Sequence, residues 1–166
     1  MPAPVTAPMT GADLDEVLEL NERSVPHVGS VDRERLGSIV QESRSALVVR
    51  DPDGALAGFV IVLAEGADYD SPNYLAFADR YDRFLYVDRI AVDPSTHRGG
   101  IGRALYDRVF DLAREEGAPR VTCEVNVDPP NPVSMAFHAS MGFVEVGRQV
   151  NYGGAVTVAL LSVELD

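Results

Sequence analysis

The chain has 166 residues, a mass of 17.9 kDa, a formal net charge of −12 and a pI near 4.5. That excess of carboxylates works against nucleic acid and against anionic membrane surfaces, both of which reward positive charge, and leaves a large basic partner such as a histone compatible. With 46% hydrophobic and 24% charged residues the composition is ordinary for a globular chain, so one domain over residues 1–166 is expected.

The N-terminus has no basic segment followed by an apolar one, and no apolar run reaches transmembrane length, which leads to the expectation of a cytoplasmic protein. Residues 1–10 are rich in Pro and Ala, with a short strand expected at Val5-Thr6. Helical spacing then predicts one helix over 13–22, burying Leu14, Val17 and Leu18, and a second over 31–42, burying Leu36, Ile39 and Val40. Between them Ser24, Val25, Pro26, His27, Val28 and Gly29 break the pattern. Strands are predicted over 46–50 and 56–64, joined by the turn Asp51-Pro52-Asp53-Gly54.

Residues 65–83 are longer than a hairpin needs and interleave Glu65, Asp68, Asp70, Asp79 and Asp82 with Tyr69, Tyr74, Phe77 and Tyr81. Two readings stay open. One is a lid that offers carboxylates and ring faces such as Tyr69 and Tyr74 to a cation. The other is a solvated loop whose acids follow the acidic composition.

A strand rich in β-branched and aromatic residues follows over 84–92 and stops at Asp93-Pro94. It leads into His97, Arg98, Gly99, Gly100, Ile101 and Gly102, after which Ile101, Leu105, Val109 and Leu112 recur at helical spacing up to Gly117. Glycines at a helix start let an anion lie against free backbone amides at the positive end of the helix dipole. A pyrophosphate would rest on the amides from Gly100 through Ala104, with Arg98 and Arg103 at the rim and no acid between Asp93 and Asp107. The bland alternative is a glycine turn that serves tight packing. Two nucleotide motifs fail here: a P-loop needs Lys and then Ser or Thr where this chain has Arg103-Ala104, and a dinucleotide fingerprint needs Gly or Ala where Leu105 stands.

Downstream, a strand over 120–127 carries Cys123, the only cysteine, on one face with Val121, Val125 and Val127. It reads as a small core residue, since nothing basic precedes it there to lower its pKa. A helix is predicted from Asn131 as N-cap and Pro132 at the first position to Gly142, then strands over 144–150 and 155–165. No metal site is expected.

Ala91-Val92-Asp93-Pro94, the loop from His97 to Gly102 and the helix after it resemble the acetyl-CoA signature of the GNAT N-acetyltransferase superfamily. The departure is His97, where the family usually has Gln or Arg. Asn131, Ser134, His138, Gly142 and Phe143 resemble the family's second CoA-side helix, with His138 in place of the usual tyrosine. The resemblance implies an α/β (α+β) single-domain fold, a central mixed, mostly antiparallel sheet flanked by helices. It also implies acetyl-CoA as cofactor and a small-molecule or peptide amine as partner, with room for a homodimer built on the terminal strands.

It further implies a thioester held between the strands over 84–92 and 121–127, its carbonyl met by a backbone N–H near Ile90 or Ala91. Asp88 aligns with a position often acidic in the family and, by two-residue alternation, shares a face with Tyr86, so it reads as general base or as the partner of a neighbouring arginine. Glu124 is the reserve base. His138 reads as the general acid for the CoA thiolate or as a packed histidine, Asn126 and Asn131 orient CoA, and His27 borders the acceptor pocket. The favoured function is acetyl transfer to a primary amine; the alternative is a non-catalytic acyl-CoA-binding or sensor module.

Overall fold

The computed structural model describes residues 3–166, with the side chains of His97 and Arg98 outside that description. Seven strands form one sheet in the order β1-β2-β3-β4-β5-β7-β6: β1 (Thr6–Pro8), β2 (Ser45–Arg50), β3 (Leu56–Ala64), β4 (Leu85–Val92), β5 (Arg120–Asp128), β6 (Val144–Asn151) and β7 (Val156–Glu164). Every neighbouring pair is antiparallel except β4 and β5, which run parallel. The sheet is mixed and mostly antiparallel, as expected.

Period-two alternation sorts the strand side chains to two faces. Leu47, Val60, Val62, Leu85, Val121 and Cys123 pack under α4 (Ile101–Glu116) and α5 (Pro132–Ser140). Val48, Phe59, Ile61, Phe84 and Tyr86 pack under α1 (Leu14–Arg23), α2 (Arg33–Glu42) and α3 (Pro72–Arg80). Among the described residues no helix is long and apolar enough to cross a membrane.

The segment over 65–83 is neither of the two loops expected from its length: about half of it is helical, and its earlier part, Tyr69 to Asn73, edges the cavity described below. It folds into α3, started by Ser71, whose side chain accepts the Tyr74 amide, and by Pro72 in the first turn. Tyr74 and Phe77, three residues apart, point inward and stack with Phe84 and Tyr86. Asp70 lies before the helix in an ion pair with Arg35.

One register slip matters for the site. Val62 pairs with Val87 and Ile61 with Arg89, so Asp88 has no partner on β3 and forms a bulge. The bulge turns Asp88 and Arg89 to the same face as Tyr86, where simple alternation would have separated the two neighbours.

Candidate active site

β4 and β5 are paired only at Leu85 with Val121 and at Tyr86 with Thr122. Beyond these residues the strands part, and a cavity of about 1340 Å³ opens through the sheet. Single small-ligand pockets run to roughly 300–1,000 Å³, so this one has room for two reactants. On the α4–α5 side it is lined by Gly102, Tyr106, Cys123, Val125 and Phe137, and on the α1–α3 side by Tyr69, Asp88, Arg89, Glu124 and Asn126.

The first half is built around the start of α4. Residues Pro94–Gly99 form a tight 3-10 turn, and Gly100, at φ 72°, reverses the chain into the helix with open space where a side chain would project. The ladder begins with the Ala104 amide bonded to the Gly100 carbonyl at 3.0 Å. The amides of Ile101, Gly102 and Arg103 precede it, and among the described side chains none caps that end.

Gly58 on β3 lets α4 come this close: a Cβ there would stand 2.8 Å from Ile101 Cγ2. Gly102 serves packing as well as access, since its Cβ would lie 3.2 Å from the Phe137 ring. Arg103 departs from expectation, because it lines a separate hollow with Asp107 and Arg114. Ile90, Ala91 and Val92 edge the cavity where β4 has left β5. Asn131 also lines it, and its side chain caps α5 by accepting the Ser134 amide at 3.3 Å.

In the second half Asp88 is fully engaged. Tyr69 donates its hydroxyl to Oδ1, Arg89 Nε donates to Oδ2 at 2.7 Å, and the paired side chains are 4% and 7% exposed. Arg89 Nη1 continues to Asn21 Oδ1 at 2.9 Å and to the Gly29 carbonyl at 3.0 Å. The pair thus ties the loop between α1 and α2 to the sheet. Asn126 adds a second tie by donating to the Pro26 carbonyl at 2.9 Å, and exposed His27 lies between these ties on the cavity rim.

Glu124 faces the same space in another state. Its two oxygens lie 2.9 and 2.8 Å from the Tyr86 hydroxyl, which donates to them. Burial, then the Asp88 charge, push its carboxyl up to about 8, against the opposing pull of Tyr86, Asn73 and Arg89. Tyr86 is therefore a support behind Glu124 rather than a wall of the cavity. Tyr74 does not reach the cavity either; its hydroxyl donates to the Ala64 carbonyl at 2.6 Å. Tyr69 does line it, beneath the Arg35 guanidinium 5.2 Å from its ring centroid.

His138 lines the cavity, and its surroundings favour the packed of the two readings over the acid. The ring is 4% exposed and packed edge-on against Tyr106, Phe137 and Phe143. Nδ1 donates to the Ser134 carbonyl at 2.8 Å, which leaves Nε2 to accept the Tyr106 hydroxyl at 2.7 Å. Burial lowers its pKa, which favours the neutral ring that these two bonds describe. Arg35, Asn73, Tyr106 and Asn151 also line the cavity and carry no sequence motif; only their tertiary neighbours bring them there.

A sequence model of the Acetyltransferase (GNAT) family matches residues 14–143. A mycothiol acetyltransferase of Clavibacter sepedonicus is 31% identical over 160 residues, which cover 92% of this chain and 47% of that protein. The [ribosomal protein bS18]-alanine N-acetyltransferase of Escherichia coli K12 is 36% identical over 63 residues, 38% of this chain and 41% of that one. The chain thus spans about half the length of the curated relatives it matches, or less.

Among solved structures, Ard1 from Thermoplasma volcanium superposes with a TM-score of 0.80 at 19% identity, covering 99% of both chains. The structure of yncA from Salmonella typhimurium, solved with acetyl-CoA, gives a TM-score of 0.72 at 20% identity over 99% of this chain and 95% of that one. The fold is the same in these neighbours, and the family match covers the glycine turn before α4, α5 and the parted strands β4 and β5. This chain belongs to the GNAT acetyltransferase family.

Proposed function

We propose that the chain is an acetyl-CoA-dependent N-acetyltransferase acting on an α-amino group of a small molecule or peptide, with Glu124 as the general base. One observation carries the reading: a single cavity through the sheet joins the uncapped start of α4 to the raised carboxyl of Glu124. The α4 side fits acetyl-CoA. Its leading amides and the open side of Gly100 suit a pyrophosphate, and the edge of β4 at Ile90 and Ala91, free of β5, offers backbone donors to a carbonyl. Bound there, acetyl-CoA would supply the activated acetyl group.

The remaining work is proton transfer, and it falls to this chain's carboxylates. Asp88 is bonded on both oxygens to Arg89 and Tyr69, and Asp70 pairs with Arg35 at the surface, whereas Glu124 has a neutral hydroxyl as its side-chain partner. Glu124, near 8, matches an α-ammonium at about 7.7–8.0 far better than a lysine-type ammonium at about 10.4. It takes the ammonium proton directly or through one water, leaving the nitrogen lone pair free to attack the acetyl carbonyl; the C–S bond would then break and the second nitrogen proton pass to the departing thiolate. The relatives named for mycothiol and for a ribosomal-protein alanine cover both a small-molecule and a peptide acceptor.

The test is acetyl-CoA consumption at pH 8 across peptides, amino acids, aminoglycosides, aryl amines and polyamines. Turnover with α-amines above polyamines is expected. Polyamine preference, or no CoA release with any amine, would contradict the reading.

A further inference from the structure

Asn73 and Asn151 both line the cavity, and each side-chain amide has one half in use and the other open. Asn73, the second residue of α3, accepts on Oδ1 from Gln149 Nε2 and from Asn151 Nδ2, each at 2.9 Å. A carbonyl oxygen has two lone pairs, so that oxygen is filled, and turning the amide over would lose both bonds. Its Nδ2, which can only donate, is the half left open. Asn151 is the complement. Its Nδ2 is used on Asn73, while its Oδ1 is left open, since the side chain does not cap the turn Tyr152–Gly154 that follows. Asn151 is 7% exposed although it ends the edge strand β6, so a largely buried acceptor borders the cavity with no partner among the described residues.

Register places this pair on the acceptor side. Asn126 lies opposite Val158 on β7, and Val158 lies opposite Gln149 on β6, so these residues share one face of the sheet with Glu124, two positions before Asn126. Gln149 thus stands two strands from β5, about 10 Å, with Asn73 bonded to it from α3. Roughly three residues of extended chain span that distance.

We propose that Asn73 and Asn151 bind one peptide group of the acceptor, Asn73 Nδ2 donating to its carbonyl and Asn151 Oδ1 accepting its N–H. The acceptor is then a peptide of about three residues or more, its α-amine at Glu124 and its chain running across β7 toward β6. The inference rests on the acceptor site proposed above. A peptide group carries one acceptor and one donor side by side, which is what the two open amide halves require. A polyamine has no acceptor to offer Asn73 Nδ2, and a free amino acid is too short to reach it.

The test is calorimetry at pH 8 on protein saturated with CoA, where no acetyl group is transferred, with trialanine amide and with alaninamide. Both present the same amine on the same first residue, so their difference reports the chain beyond it. The tripeptide should bind about tenfold or more tighter, the effect of two added hydrogen bonds. Asn73→Ala and Asn151→Ala should each erase most of that gain while changing alaninamide affinity by less than about threefold. Equal affinity for the two acceptors in wild type, which needs no variant to fold, overturns the proposal. So does binding of neither, or a gain that survives both substitutions, or a loss that falls equally on both acceptors. Binding to the CoA complex involves no proton transfer by Glu124, so the kinetics of Glu124→Gln test the base assignment separately.

Discussion

Tyr86, the last residue of β4 still paired with β5, donates its hydroxyl to Glu124 at the point where the two strands part. The seam that opens the cavity thus also carries the support for its base. Tyr86→Phe removes that donor and keeps the ring in the core. The Glu124 carboxyl should rise further, so kcat/KM should fall about tenfold near pH 7 and recover toward pH 9. A pH-independent loss would mean that Tyr86 acts on something other than this proton.

Glu124 should also mark the stability curve. An unfolded glutamate titrates near pH 4.3, while the folded one is pushed up to about 8. The native chain holds the extra proton between these values, so stability is full below the lower one and declines as pH rises through 8. Glu124→Gln removes the decline. Because the carboxylate borders an open cavity, its gain over wild type at pH 9 relative to pH 5 should be on the order of 1–3 kcal/mol, a few degrees in Tm. Thermal melts at both pH values check it.

Asp88 and Arg89 are expected to matter for folding more than for chemistry. Asp88→Ala leaves a buried guanidinium unpaired and should cost about 3–5 kcal/mol. The double change Asp88→Leu with Arg89→Met removes both charges and should recover most of that loss in denaturant melts. It should still raise KM for the amine, because the Gly29 carbonyl loses Arg89 and the loop over the acceptor side loosens.

For His138→Phe the expected loss is in stability. The Tyr106 hydroxyl would lose its acceptor in the core, a cost of about 1–3 kcal/mol. Wild-type stability, present above the ordinary histidine pKa, should fall as pH drops through the lowered one, and the variant should lack that acid-side loss. Its kcat should stay within a few-fold of wild type with the alkaline limb intact. A hundredfold fall in kcat would restore His138 as the acid.

Most strands and helices were legible because periodicity is local, and the glycine turn at the start of α4 announced itself by its place between a strand and a helix. The site was less so. Alternation gave Asp88 the face of Tyr86, but the bulge that sets Arg89 beside it depends on the register with β3, which no window of β4 contains. Sequence alone therefore left Asp88 open between a base and the partner of an arginine, and the Arg89 pair is the second of these. His138 stayed open for a similar reason, since its contacts depend on Tyr106, thirty-two residues away. Ser71-Pro72 ahead of Tyr74 and Phe77 was a readable start signal for α3, masked by the density of acids around it.

The most direct measurement is the pH dependence of kcat/KM for the best amine of the panel, in wild type, Glu124→Gln and Asp88→Asn. The account predicts an acid limb near pH 8 in wild type and a loss on the order of 10²-fold or more in Glu124→Gln, whereas whatever folded fraction of Asp88→Asn remains keeps the limb, moved to lower pH because the Asp88 charge no longer raises Glu124. Near-normal kcat/KM in Glu124→Gln, with the limb lost in Asp88→Asn instead, would contradict it.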